Sequence, residues 1–144
     1  MATTASLTLA SADIAGDPVS VSKTATLTKA GTINDLDQST GLNRVHLRST
    51  TNKTLLTANT EGNDLAAKVY IINKATDSSL YVTVTINAQT VGKLYAGNFM
   101  FIPWSQTDTA AAIEVAATNW TSSTGDIPVE YALFHEDTDF LTNA

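Results

Sequence analysis

The chain has no cysteine in its 144 residues. Disulfides, Fe–S clusters, thiolate zinc sites and a cysteine nucleophile are therefore excluded, and packing alone must hold the core. Positive charge is sparse: eight Lys and Arg stand singly along the chain against fourteen Asp and Glu, for a net charge of −6. Nucleic-acid binding needs clustered cations to displace phosphate counterions, so no nucleic-acid partner is expected. An anionic membrane surface would repel the chain for the same reason. Its longest apolar run is far shorter than the roughly 20 residues a spanning helix needs. Residues 1–16, MATTASLTLASADIAG, have neither the basic start nor the continuous apolar centre of a secretory signal. A soluble, unprocessed chain with no membrane partner is expected.

Chemical motifs are missing too. There is no G-x-S-x-G elbow, no G-x-x-x-x-G-K-[ST] loop, no G-x-G-x-x-G turn and no H-E-x-x-H helix. Of four Glu, only Glu114 and Glu130 lie in apolar settings, and both alternate outward on expected strands. Asp35, Asp37 and Ser39 open like a calcium loop, but Thr40 and His46 fill the positions that need Gly and Glu, so the match fails. His46 and His135 read as surface or hydrogen-bonded residues, since general acid–base work also needs a positioned partner. Glu136, Asp137 and Asp139 after His135 read as a solvated tail. No enzyme, cofactor or metal site is expected.

What the chain does have is hydroxyls. Thr (24) and Ser (11) make up about a quarter of it, while charged residues reach only 15%. Threonine's branched Cβ suits a pleated, half-buried surface and its hydroxyl suits the wet face. One domain is expected at this length.

Periodicity supports sheets. VYIIN (69–73) is apolar on both faces, as a central strand is. LYVTVTINAQTVGKL (80–94) alternates, with Val82, Val84 and Ile86 facing one way and Tyr81, Thr83, Thr85 and Asn87 the other. AIEVAA (112–117) and PVEYALF (128–134) alternate likewise, separated by SSTGD at 122–126. SLTLA (6–10) and VSVSKTATLTKA (19–30) flank an AGDP turn; RVHLRS (44–49) and TLLTA (54–58) read as a hairpin around Thr51–Lys53; NDLDQSTG (34–41) reads as a loop; a short helical turn is expected near 63–68. The most apolar stretch is LYAGNFMFIPW (94–104), eight of eleven side chains. Gly97-Asn98 reads as a turn, FMFI as a core strand and Pro103 as its stop. These elements predict an all-β, antiparallel, jelly-roll-like β-sandwich of about eight strands with little helix. The expected layout is an arm or edge strand over 1–18, one sandwich over 19–135 and a polar tail over 136–144. Trp120, Tyr81 and Trp104 are the candidate interaction residues, since indole and phenol combine area with a donor.

VYIINKATDSSLYVTVTI, VGKLYAGNFMFIPW, AAIEVAA and IPVEYALF together resemble small β-rich structural proteins of tailed phages, particularly those of cyanobacteria. The shared features fall at Asn73-Lys74, Tyr81-Val82-Thr83, Leu94 to Pro103, Ile113 to Ala117 and Val129 to Tyr131, within residues 69–134. The resemblance implies a virion component without catalytic residues, often a jelly-roll-like sandwich on the head or at the tail. The leading expectation is a capsid decoration or cement protein that binds the major capsid protein or other virion proteins. It would be a homo-oligomer, a trimer on a symmetric shell, assembled in the host cytoplasm. The alternative is a receptor- or carbohydrate-binding module of a tail or fibre.

Overall fold

A computed structural model describes residues 3–14, 17–28, 36, 38–57, 66–105, 111–118 and 120–135. Among them the protein is all-β, with eleven strands and no helix. These are β1 (Thr4–Ile14), β2 (Asp17–Thr26), β3 (Gln38–Ser39), β4 (Asn43–Leu47), β5 (Lys53–Thr57), β6 (Ala66–Asn73), β7 (Tyr81–Ile86), β8 (Gln89–Tyr95), β9 (Phe99–Ser105), β10 (Ala112–Ala117) and β11 (Ile127–His135).

From β4 onward the pairing is nested. The first strand of these eight pairs with the last (β4–β11), the second with the seventh (β5–β10), the third with the sixth (β6–β9) and the fourth with the fifth (β7–β8). Two further pairings, β11–β6 and β10–β7, gather these couples into sheets ordered β5-β10-β7-β8 and β3-β11-β6-β9, with β4 sharing the β11 edge with β3. Every pairing is antiparallel. The inward residues of alternating strands meet between the sheets: Val69, Ile71, Ile127 and Val129 from one, Val82, Val84, Ile113 and Val115 from the other. Each is worth about 1.5–3 kcal/mol when fully buried, so this sandwich core carries the stability.

A polar brace crosses the core. Asn73 is fully buried; its Nδ2 donates to the carbonyls of Leu80 (3.2 Å) and Leu94 (2.9 Å), and its Oδ1 accepts from the Ala75 amide (2.9 Å). Its backbone reaches the next turn, accepting from the Gly97 amide at 2.8 Å and donating to the Asn98 carbonyl at 3.1 Å. One residue at the end of β6, through side chain and backbone together, thus positions the start of β7, the end of β8 and the turn into β9.

Four expected elements differ. Residues 80–94 are two strands, because Asn87 (φ 49°) and Ala88 (φ 63°) form a tight two-residue turn closed by Ile86 and Gln89. Consecutive positive φ values match the twist of a hairpin, but they are normally signalled by Asn-Gly, and Ala88 hides the turn. The segments at 44–49 and 54–58 are no hairpin: β4 and β5 pair with β11 and β10 in different sheets. Pro103 does not stop β9, which continues to Ser105; β9 is an edge strand, where a residue without an N–H is tolerated. The helical turn expected near 63–68 is strand from Ala66, and 63–65 lie outside the described residues, as does the tail at 136–144.

β1 and β2 stand apart as a two-stranded ribbon that pairs with neither sheet. An arm ending at residue 18 would cut this hairpin; the separate element runs to Thr26. Its base is clamped. Leu27 donates its amide to the Thr3 carbonyl, Leu36 donates to the Leu27 carbonyl, and both leucines are buried.

Candidate interaction surface

The register of β9 decides what LYAGNFMFIPW does. Met100, Ile102 and Trp104 pair with Ile71, Val69 and Ala67 on the inner face, whereas Phe99 and Phe101 pair with Ile72 and Tyr70 on the outer face. A strand alternates, so an all-apolar strand at an outer sheet must show half its side chains to solvent. Phe99 is 59% exposed and Phe101 38%. Tyr70 and Phe99 rings lie 6.3 Å apart, as do those of Phe101 and Phe134. With Ile72 and Pro103 they form a largely apolar platform across β6, β9 and β11, bordered by Lys68, which pairs with both Pro103 and Phe134. The expectation that 99–102 is interior is therefore half corrected: one face is core and the other is open surface.

Over this platform hangs the ribbon. Its register puts Leu7 opposite Lys23, Leu9 opposite Val21 and Ser11 opposite Val19 on one face, and Ser6 opposite Thr24 and Thr8 opposite Ser22 on the other. One face is apolar and the other is hydroxyl-lined, with a Ser6–Thr24 hydrogen bond of 2.9 Å. Leu7, Leu9, Val19 and Val21 are all exposed. The base of the ribbon, Ala5, Leu7, Lys23 and Ala25 of the apolar face with Ser6 and Thr8 beside them, borders Tyr70 and residues 99–101 of the platform strand across a gap of about 730 Å³. The two apolar surfaces approach each other without closing.

The three aromatics singled out by sequence are dispersed. Trp104 is only 2% exposed; it belongs to the core and donates its Nε1–H to Asn87 Oδ1 at 3.2 Å, so it is not a surface residue. The turn at Asn87 and the inward phase of β9 bury it. Trp120 is half-buried against the core, and its buried Nε1 has no hydrogen-bond partner among the described residues. Tyr81 lies on the outer face of the other sheet, its ring 5.0 Å from that of Tyr95, with Lys93 Nζ 4.5 Å above it. Beside them Thr83 and Thr118 share a hydroxyl hydrogen bond of 2.6 Å. Phe99 and Phe101, the most exposed of this aromatic set with Tyr95, were legible as apolar but not as outward-facing.

Charged groups mark a third region, where β4 meets β11. Arg44 pairs with Glu130, and Arg48 makes a two-point contact with Asp126 at 2.9 and 2.8 Å; His46 Nδ1 is 3.7 Å from the same carboxylate. The guanidinium hydrogen bonds hold both carboxyls below their ordinary range. These are cross-strand braces. Glu114 is likewise engaged, accepting from Asn52 and Thr54. No group of three or more His, Asp or Glu able to share a metal ion occurs among the described residues, and Glu136, Asp137 and Asp139 lie outside them. The chain matches no protein-family model, no curated protein and no solved structure.

Proposed function

We propose that the protein is a non-enzymatic structural component of a virion, a decoration or cement protein built on a jelly roll and seated on the head surface. The nested pairing of eight antiparallel strands supports the jelly-roll assignment: a long ribbon rolled up pairs first with last, second with seventh, and so on inward. The observation that carries the function is the surface itself. A sandwich with its own core additionally presents an open aromatic platform and an amphipathic ribbon, and contiguous exposed apolar patches mark protein contacts. Scarce charge and abundant hydroxyls suit faces that meet neighbours. In this reading the major capsid protein or other virion proteins are the partners, and binding across subunit seams stabilises the shell by linkage.

A second reading, a glycan-binding module of a tail or fibre, is favoured by the Tyr81–Tyr95 pair beside Thr83 and Lys93, since sugars stack on such rings and bond to such hydroxyls. Copy number separates the two. Quantitative gel staining of purified particles should find this chain at a level comparable to the major capsid protein. A few copies per particle would move it to the tail, and complete absence would sink both readings.

A further inference from the structure

We infer that the ribbon of one copy of this chain covers the aromatic platform of another, so that the protein self-associates by reciprocal ribbon exchange. This rests on the reading above that the platform and ribbon are assembly surfaces, and names the neighbour that meets them as a second copy of the chain. Three observations combine. First, a two-stranded ribbon alone in water is marginal and needs its apolar face covered, yet Leu7 and Leu9 are 46% and 50% exposed with Val21 beside them. Second, the same chain carries an open surface of matching character, with Phe99 and Phe101 at its outer edge. Third, the ribbon does not close on its own platform. The buried, hydrogen-bonded leucines at its base set its approach, a gap of about 730 Å³ remains beneath it, and its outer half carries Leu9 and Val21 beyond the residues that line that gap.

The occupant is a second copy because both halves of the junction belong to one sequence, and their area is sufficient. A ribbon of this length is about 35 Å long and about 10 Å wide at ordinary strand rise and spacing, or about 350 Å² per face. A reciprocal exchange covers two ribbon faces and two platforms, about 1,400 Å² in all, inside the usual range for a stable interface. Exchange of an identical element is also a low-cost route to assembly. The hydroxyl face of each ribbon then points outward to water.

Sedimentation equilibrium of the full chain reads the association, with variants placed on exposed positions so that the sandwich core is untouched. The wild type should be a defined oligomer. Leu9→Lys with Val21→Lys, and separately Phe99→Lys, should each weaken association by on the order of a hundredfold, whereas Ser20→Lys with Ser22→Lys on the hydroxyl face, away from the gap, should leave it intact. Because the chain has no cysteine, a Leu9→Cys chain mixed with a Phe99→Cys chain and a short bis-maleimide should give mainly the mixed cross-link. A monomeric wild type would overturn the inference and leave these surfaces to a different protein. Dominant Leu9→Cys homodimers, or a purely internal link in the doubly substituted chain, would overturn it in favour of ribbon-on-ribbon packing or self-coverage.

Discussion

Asn73 is the side chain on which most of the local geometry depends. Its side-chain amide makes three hydrogen bonds, two of them buried, which reach the residue before β7, the end of β8 and the turn after β6. Truncating it strands the carbonyls of Leu80 and Leu94 away from water, and a buried orphan costs more than a bond is worth when made. Asn73→Ala should therefore lower unfolding stability by about 2–4 kcal/mol, read as a shift in the urea midpoint at unchanged slope; a change under 0.5 kcal/mol, about the size of a surface substitution, would mean water replaces the amide. The sequence displayed Asn73-Lys74 as the end of a strand but gave no sign of the brace, because its partners are backbone groups seven and twenty-one residues away. Trp104 shows the same limit. Its position after an apolar strand made it a candidate interaction residue, and only the register of β9 against β6 turns it inward.

At the scale of elements, alternation was easy to read and partnership was not. VYIIN sits centrally in its sheet, between β11 and β9, as its two apolar faces imply. FMFI looks the same in sequence, yet it is an edge strand whose outer face is open; local periodicity carries no information about what covers a face. The β4–β11 pairing adds a pH dependence. Asp126 and Glu130 have folded-state values lowered by the Arg48 and Arg44 hydrogen bonds. A lowered carboxyl contributes stability that is complete above its ordinary value, near 4, and is lost as pH falls through the folded-state value. The melting temperature should thus hold from neutral pH to about 5 and fall below about 4. Both Arg partners are exposed to solvent, so the drop is modest. Arg48→Ala should flatten part of it. An identical acid slope in that variant would assign the loss to other carboxylates.

For the whole molecule, the division of labour between ribbon and sandwich is the main consequence of the topology. The core cluster runs from Leu47 to Val129 and takes no residue from β1 or β2, and the ribbon's strands pair only with each other. Composition and turn spacing foretold the sandwich, since alternating strands between polar turns have few other ways to bury one face. An arm or edge strand was expected over 1–18, but β2 was not legible as part of it, because its alternation resembles that of any sheet strand and only the pairing sets it with β1. A chain lacking residues 1–26 should accordingly keep its β-sheet circular dichroism and a single cooperative transition. Compared at a concentration where the full chain is monomeric, its melting temperature should lie within about 5 °C of the full chain, the shift expected from roughly 1 kcal/mol in a domain of this size. Loss of cooperativity would show instead that the clamp at Leu27 and Leu36 is part of the folding unit, and that stability and ribbon are inseparable.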